Sequence, residues 1–427
     1  MKSIISISAA LCGFALCQGS LTPPGSPAPT MKSLQEIWDK SAALEAQVQA
    51  QQQQISLLTQ KTNEQNAALG ILLDKSGVAL PWDLANVDSV GSQRCNSSLA
   101  FTLGGQPAIC YYDGINQDLK YAVFDGVSWQ TAPVDSVGNV GSYNSLAFTP
   151  AGQPAIAYYD GSNGDLKYAV FNGSSWQITP VDASGNVGLH LSLKFSQSGH
   201  PSISYFDSTN QDLKYASFNG SSWTMVTVDN NANSGSKSSL AFSPSGTPAI
   251  SYALSPAAIK FAEMVSSSWI ITTIYTAAVQ NGENVAGSSL AFGPEGTGYI
   301  AFESYTNGAD VMLAKRLYGG GWSVSEIPSI LVGASDWGYS PSLGITPGGQ
   351  PAMSLTQDPQ NTVMGFPNLR YVSFDGSSWK ANVADGAPMV GYDSSLAFTP
   401  GGQPAISYYD KTNGKIKYAV RATFSKP

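Results

Sequence analysis

Charged residues, histidine and cysteine are all scarce in this chain of 427 residues. Only 12% of the residues are charged and the formal net charge is −8, so the sequence lacks the basic surface that nucleic acids and anionic membranes attract. The two histidines, His190 and His200, are too few for a histidine-rich metal site. We therefore expect no nucleic-acid partner, no metal and no cofactor.

Long apolar runs are missing after the N-terminus, so we expect no membrane span. The first residues, Met1 and Lys2, precede an apolar run from Ile4 to Cys17 and then small residues. This is the pattern of a secretory signal peptide, which we assign to residues 1–19. We expect the protein to be secreted from a bacterial cell or held at the cell surface in its envelope. Lipidation at Cys17 is a weaker alternative, because Leu16 fits such processing poorly.

Cys95 and Cys110 are the cysteines that follow the signal peptide. They could form a disulfide in an oxidising compartment. Alternatively, Cys110 fills a small-residue position, since other repeats of the chain place alanine or serine there. The sequence leaves both interpretations open.

Two segments separate the signal peptide from the rest of the chain. Residues 20–30 are rich in proline and small residues and indicate an extended linker. In residues 31–76, apolar residues recur in alternating steps of three and four, with polar residues at some seam positions. This pattern predicts a coiled-coil helix that joins two or three copies as a stalk. A single amphipathic helix lying on the following domain is the alternative.

Everything after residue 81 consists of copies of one repeat, best seen from Asn144 to Asp182. A tryptophan marks each copy, at Trp82, Trp129, Trp176, Trp223, Trp269, Trp322 and Trp379. Each copy contains four short β-like segments separated by turn residues. Repeats of this length and content predict an all-β, seven-bladed β-propeller of four-stranded antiparallel blades over residues 77–427. The tryptophans should lie in the core between blades.

The two ends of the array are complementary. Residues Trp82 to Asp88 match the end of a repeat, and the last repeat lacks its tryptophan-led fourth segment. We therefore expect the N-terminal strand to complete the last blade, which protects strand edges and ties the ring.

Differences between the copies indicate where a ligand binds. The first and third turns keep their lengths, whereas the links after Trp269 and Trp322 and the second hairpin of the sixth blade are longer. Antiparallel geometry puts all the variable segments on one face. Loops on a rigid scaffold usually carry binding function.

One position near the axial mouth on that face changes in every repeat. It lies three residues before the leucine of the first strand, at Asn96, Tyr143, His190, Lys237, Gly287, Ser340 and Asp393. Trp337, Tyr339 and Tyr392 lie close by in sequence. Together these residues offer aromatic faces and hydrogen-bonding groups, a combination that suits sugars or peptides.

The hairpin from Asp113 to Asp118 and its equivalents place acidic residues as a calcium loop would, but without the glycine and glutamate of an EF-hand. We expect turn-forming roles for these aspartates. The lysines that follow, such as Lys120 and Lys167, should be their local partners.

The turn before each tryptophan, such as Phe124 to Trp129 (FDGVSW), resembles the Asp-box turn of sialidase-type propellers. Gly126, Ser128 and Trp129 match that pattern, whereas Asp125 is displaced by one position. The resemblance implies a related architecture and carries over no catalytic residue. The repeated Asp and Tyr residues are also similar to those of seven-bladed bacterial lectins, which bind sugars between blades.

These observations favour a secreted or surface-displayed, non-catalytic binding propeller, with a glycan or surface polymer as ligand and a stalk that adds avidity. The alternative is a polysaccharide hydrolase or lyase at the axial mouth, in which His190 would be the acid or base. A purely structural surface protein is a third hypothesis.

Overall fold

In the computed structural model the described residues are 36, 38–51, 54, 61, 65, 80–92, 96–255, 257–277, 285–305, 310–328, 341–357 and 367–422. The chain divides into two compact units, Met1–Lys61 and Thr62–Pro427. The predicted signal peptide and linker lie outside the described residues. Within the described part of the chain, no helix combines the length and the apolar character needed to cross a bilayer.

The described part of the first unit is a helix over residues 38–51. Its larger apolar side chains are exposed: Trp38 by 55%, Leu44 by 61% and Val48 by 42%. The remainder of the predicted coiled coil over residues 31–76 is described only at scattered positions, so the stalk stays a prediction.

The second unit is an all-β propeller of seven four-stranded antiparallel sheets. Its first strand, β1 (Trp82–Ser89), belongs to the last blade. Blade I is β2 (Ser97–Phe101), β3 (Pro107–Asp113), β4 (Asp118–Phe124) and β5 (Trp129–Asp135). Blade II is β6 (Val140–Phe148), β7 (Pro154–Asp160), β8 (Asp165–Phe171) and β9 (Trp176–Asp182). Blade III is β10 (Val187–Phe195), β11 (Pro201–Asp207), β12 (Asp212–Phe218) and β13 (Trp223–Asp229).

The other blades repeat this plan. Blade IV is β14 (Ser234–Phe242), β15 (Pro248–Leu254), β16 (Ala258–Val265) and β17 (Ser268–Thr276). Blade V is β18 (Val285–Phe292), β19 (Gly298–Ser304), β20 (Asp310–Arg316) and β21 (Trp322–Glu326). Blade VI is β22 (Ser342–Ile345), β23 (Pro351–Gln357), β24 (Asn368–Phe374) and β25 (Trp379–Asp385). Blade VII is β26 (Val390–Phe398), β27 (Pro404–Asp410), β28 (Lys415–Arg421) and β1.

The predicted closure of the ring is confirmed. Strand β1 pairs antiparallel with β28 along its whole length, from Trp82 opposite Arg421 to Ser89 opposite Lys415. The N-terminal strand is thus the outer strand of blade VII, and the two ends of the array share one sheet.

The first strands of neighbouring blades contact one another around the axis. They are linked by hydrogen bonds in which a leucine backbone N–H donates to the serine Oγ of the preceding blade. Six such bonds of 3.0–3.1 Å join Leu99 to Ser395, Leu146 to Ser98, Leu193 to Ser145, Leu290 to Ser239, Leu343 to Ser289 and Leu396 to Ser342. These bonds satisfy amide groups at the axis and hold successive blades in one register.

The hydrophobic core lies between blades. The second strand of each blade is buried on both sides, as in β7, whereas the fourth strand is largely exposed, as in β9. Each marker tryptophan packs mainly against the preceding blade; Trp176, for example, meets Tyr121 edge-on at 5.5 Å between ring centroids. The marker tryptophans are half-buried and pack against the edges of the core clusters, so the expectation that they are core residues is confirmed only in part.

Cys110 is a buried free thiol whose Sγ donates to Asn144 Oδ1 at 3.0 Å across the I/II interface. The equivalent positions at other interfaces hold paired hydroxyls, such as Ser204 and Ser238 at 2.9 Å. Cys110 therefore fills the predicted small-residue position, and burial raises the pKa of its thiol. Cys95 lies outside the described residues.

The two faces of the ring differ as predicted. On one face, described links between blades bond to second hairpins: Gly161 N–H donates to Asn139 O at 2.8 Å and Val187 N–H to Gly164 O at 2.9 Å. We call this the loop face. On the other, the constant first turns pack on one another, so that a Cβ on Gly152 would lie 2.8 Å from Leu103.

Candidate functional site

The variable position of the first strands is a backbone irregularity on the loop face. Its φ is 52° at Tyr143, 51° at His190, 54° at Lys237, 63° at Gly287 and 48° at Asp393. In blades II, III, IV and VII the strand pairing shifts register at this point. A left-handed conformation costs a non-glycine residue about 1–2 kcal/mol. Strain repeated at one place in the fold is typical of a functional site.

The following blade holds this strained backbone in place. Ser238 Oγ donates to His190 O at 2.8 Å, and Ser288 Oγ donates to Lys237 O at 2.8 Å. Asn144 Nδ2 similarly donates to Asn96 O at 3.1 Å. Because the main chain is fixed through its carbonyl group, the side chain at this position is free to differ between blades.

The structure brings five of the predicted site residues together around the axial mouth. Tyr143 N–H donates to Asn96 Oδ1 at 3.2 Å. The rings of Tyr143 and His190 meet edge-on with centroids 4.6 Å apart. Lys237 acts electrostatically on His190, and Asp393 acts on Tyr143. These five half-buried residues form one arc over blades VII, I, II, III and IV, which we call the mouth arc.

Electrostatics give the two rings of the mouth arc defined protonation states. Burial lowers the pKa of His190, and the Lys237 charge lowers it further, to about 3. Burial also raises the pKa of Tyr143, assisted by Tyr159 and Asp393. At neutral pH the imidazole is therefore uncharged and the phenol keeps its proton. Both groups can form hydrogen bonds, but neither is a strong base.

The other predicted site residues do not join the mouth arc. Tyr392 is only 3% exposed and packs in the core between blades, where Lys411 Nζ lies 5.6 Å from its ring centroid. The expectation that Tyr392 offers a stacking face was wrong, because adjacent strand residues point to opposite sides. Gly287 has no side chain to contribute. Trp337, Tyr339 and Ser340 lie outside the described residues, as do most of the longer loops.

Sequence reasoning missed a polar network between blades. In the described chain, five interfaces place a lysine of a third strand against the aspartate that ends the preceding blade. These ion pairs are Lys120–Asp88 (2.5 Å), Lys167–Asp135 (3.4 Å), Lys214–Asp182 (2.6 Å), Lys260–Asp229 (2.9 Å) and Lys417–Asp385 (2.5 Å). A tyrosine of the second strand donates to the same carboxylate, as Tyr205 does to Asp182 at 2.7 Å.

These networks are internally satisfied. Burial acts to raise the pKa of Asp229, but hydrogen bonds from Lys260, Tyr252 and Asn231 outweigh it and lower the pKa to about 2. The expected local pairing of lysines with hairpin acids also holds, since Lys167 Nζ lies 2.7 Å from Asp160. The networks therefore hold blades together, and among the described residues they leave no open carboxylate cluster for a ligand.

The turn roles of the acidic residues are confirmed. Asp113 Oδ1 accepts from Ile115 N–H at 3.0 Å, as an Asx turn requires. In the turns that resemble an Asp-box, Asp125 Oδ1 accepts from Ser128 N–H at 2.8 Å, and Asn172 Oδ1 accepts from Ser175 N–H at 3.0 Å. An amide oxygen serves this purpose as well as a carboxylate, which explains the exchange of Asp and Asn.

No known family profile matches the sequence. No curated protein matches it either. Among solved structures, an ulvan lyase bound to a disaccharide of glucuronic acid and sulfated rhamnose aligns with 79% of this chain and 96% of its own, at 12% identity and a TM-score of 0.56. At this identity the likeness shows the propeller fold alone.

Two further solved structures align less closely. A six-bladed fucose-binding lectin from Aleuria aurantia covers 70% of this chain and 97% of its own, at 14% identity and a TM-score of 0.46. The protein AofleA from Arthrobotrys oligospora covers 72% and 90%, at 12% identity and a TM-score of 0.47. The seven sheets make the chain a seven-bladed β-propeller, and these likenesses concern its fold alone.

Proposed function

We propose that this protein is a non-catalytic binding propeller that takes a carbohydrate at the mouth arc on the loop face. The observation that carries the proposal is the strained backbone position that Tyr143, His190, Lys237 and Asp393 share on the first strands of four blades. The scaffold holds this position through main-chain bonds and varies only its side chains. Such an arrangement suits recognition of a ligand with many hydroxyl groups.

The chemistry of the mouth arc supports a sugar. The Tyr143 and His190 rings offer aromatic surface for the C–H face of a pyranose ring. Asn96 provides an amide. Asp393 on blade VII provides an acceptor and Lys237 on blade IV provides a donor, and these two blades lie towards opposite sides of the axis. A sugar bound among them could form polar and stacking contacts at once.

Catalysis at the same place is less well supported. A hydrolase or lyase that uses His190 would need a base that is effective near neutral pH. The lowered pKa of His190 and the raised pKa of Tyr143 both act against this role. His200 follows the first strand of blade III and lies on the opposite face.

A glycan array tests the proposal by comparing the binding of the unchanged protein with that of its Tyr143→Gly variant. Blade V already has glycine at the equivalent position, Gly287, with a φ of 63°, so the backbone conformation of this position suits glycine. We expect binding to a restricted set of glycans that the variant loses. Absence of binding to every glycan would contradict the proposal, and release of products from polysaccharides that His190→Ala abolishes would support the enzyme instead.

We further propose that the protein is secreted or displayed at a bacterial surface and that residues 31–76 join copies into a stalk. Leu44 and Val48 are four residues apart on the N-terminal helix and are exposed, as expected of a seam that pairs with another helix. Several weak mouth sites on one stalk would gain avidity. Light scattering should give a larger mass per particle for residues 20–427 than for a chain starting at Gly77; monomers in both cases would contradict the stalk.

A further inference from the structure

Blade III carries a lysine at a position of the innermost strand where every other blade has a small residue. Lys194 follows the buried Leu193 on β10. The equivalent residues of the other first strands are Ala100, Ala147, Ala241, Ala291, Gly344 and Ala397. All seven positions lie within described strands, so this level of the ring is described on every blade.

The Lys194 side chain leaves β10 towards blade IV at the inner edge of the ring. A Cβ on Gly344, the equivalent residue of blade VI, would lie 3.4 Å from the side chain of Leu396 in the following blade. The same plan holds for blades III and IV, whose first strands β10 and β14 are in contact. Lys194 therefore starts beside Leu240.

The Lys194 side chain occupies solvent-accessible space that protein surrounds. It is exposed, although its strand is the innermost of blade III. Burial nevertheless lowers the pKa of its amine. Burial acts in the same direction on Lys120 and Lys167, but neighbouring carboxylates outweigh it and raise their pKa values. A side chain that is open to solvent and yet enclosed by protein fits the central channel of a propeller, where a small solute can reach it.

The amine of Lys194 has no partner in the described chain. It forms neither an ion pair nor a hydrogen bond there. The other charged residues of the described first strands are Lys237 and Asp393, which both belong to the mouth arc. They lie at a level four residues earlier, about 13 Å away along a strand that rises about 3.3 Å per residue. An enclosed cation that the protein leaves unpaired favours an anionic partner.

A hydrogen bond between first strands is missing at the same place. Six leucine amides donate to a serine of the preceding blade, as Leu193 N–H does to Ser145 Oγ at 3.1 Å. The seventh bond, from Leu240 N–H to Ser192 Oγ, does not form. Ser192 lies two residues before Lys194, so their side chains share one face of β10. The Ser192 hydroxyl, the Leu240 N–H and the Lys194 amine are thus three neighbouring donors that lack the partners of their equivalents or of other lysines.

We propose that Lys194, Ser192 and the Leu240 N–H form an anion site in the axial channel that binds a carboxylate group. The ammonium supplies a charge-assisted hydrogen bond and the other two groups supply neutral ones to the carboxylate oxygens. One positive charge balances one negative charge, whereas a dianion would leave an excess charge inside the channel. The site does not depend on a carbohydrate at the mouth arc.

A titration with sodium acetate at pH 6, followed by saturation-transfer NMR, tests this site. The mildly acidic buffer favours the charged form of the amine. We expect acetate to bind and the Lys194→Ala variant, which installs the residue of five other blades, to lose at least tenfold in affinity. Lys380→Ala removes an exposed lysine, with 52% of its side chain accessible, and should change nothing. Sulfate should compete with acetate poorly, and displacement of acetate by an equal concentration of sulfate would contradict the preference for a carboxylate.

Other results would overturn the anion site itself. No saturation transfer to acetate, or equal acetate affinities of Lys194→Ala and the unchanged protein, would do so. Loss of acetate binding in Lys237→Gly but not in Lys194→Ala would place the anion at the mouth arc instead. A lower melting temperature of Lys194→Ala without acetate would also count against the site, since Lys194 would then serve an internal contact.

Sodium glucuronate identifies the source of the carboxylate. Tighter binding of glucuronate than of acetate, reduced to the level of acetate in Tyr143→Gly, would indicate an acidic sugar that extends from the mouth arc into the channel. Equal affinities of glucuronate and acetate would indicate a carboxylate that binds in the channel by itself. Failure of the glycan array leaves the acetate result standing, so the two proposals are tested separately.

Discussion

The inter-blade networks lead to a quantitative prediction for Lys214. Its ammonium lies 2.6 Å from Asp182 and 3.7 Å from Asp207, carboxylates whose side chains are each 1% exposed. The Lys214→Met variant would leave both acids without a cation. Breaking a buried ion pair by removing one partner costs about 3–5 kcal/mol. Because Asp182 keeps its bonds from Tyr205 and Ser184, we expect a loss of about 3 kcal/mol in the free energy of unfolding.

The matched control replaces all four groups with those of the IV/V interface, where Tyr275, Phe302, Ser304 and Met312 occupy the equivalent positions. It carries Asp182→Tyr, Tyr205→Phe, Asp207→Ser and Lys214→Met, and should recover to within about 1.5 kcal/mol of the unchanged protein, because no buried charge remains unpaired. A second control, Lys380→Met, breaks only an exposed pair of 3.7 Å and should cost less than about 0.5 kcal/mol.

Guanidinium chloride unfolding followed by tryptophan fluorescence measures all three variants, since the marker tryptophans lie at blade interfaces. The reasoning would be refuted if Lys214→Met cost under about 1 kcal/mol. It would also be refuted if the fourfold variant were as unstable as the single one, since the loss would then not come from unpaired carboxylates.

Other variants test the same architecture. The folded pKa of Asp229 is about 2, below its ordinary value of 3.8. Its stabilising effect is therefore complete above about pH 4 and is lost as the pH falls through 2. Between melts at pH 5 and pH 2, the free energy of unfolding of Asp229→Asn should fall by about 2 kcal/mol less than that of the unchanged protein. Identical pH dependence of both proteins would argue against this. Lys237→Gly should have a free energy of unfolding at least about 1 kcal/mol higher than Lys237→Val, because glycine adopts the φ of 54° without strain whereas a β-branched side chain does not. Equal stabilities of the two variants would remove the strain argument. Deleting Trp82–Ser89 should lower the melting temperature sharply because blade VII loses its outer strand, and an unchanged transition would disprove closure by β1.

The fold could be predicted because the chain aligns with itself. Each repeat carries the same tryptophan and the same turn residues, so the number of blades, the strand order and the role of residues 82–88 all follow from the spacing. The interfaces could not be predicted in this way. Asp182 and Lys214 are 32 residues apart and belong to different blades, and only the ring geometry brings them together.

The candidate site shows the same limit. The variable position was visible in the sequence because it differs between copies of an otherwise constant strand. Its left-handed backbone was not visible, because tyrosine and lysine give no signal for a positive φ. Tyr392 was misassigned for a related reason: it precedes Asp393 by one residue, and that single step turns its side chain from the mouth into the core.

The central claim is that the mouth arc binds a carbohydrate, and its most direct test is a titration of the best glycan from the array into the protein and its Tyr143→Gly variant. Tyr318→Ala, at a fully exposed tyrosine of blade V, serves as the control. We predict at least a tenfold loss of affinity for Tyr143→Gly and none for Tyr318→Ala, with both variants folded. Equal affinities of Tyr143→Gly and the unchanged protein would contradict the claim.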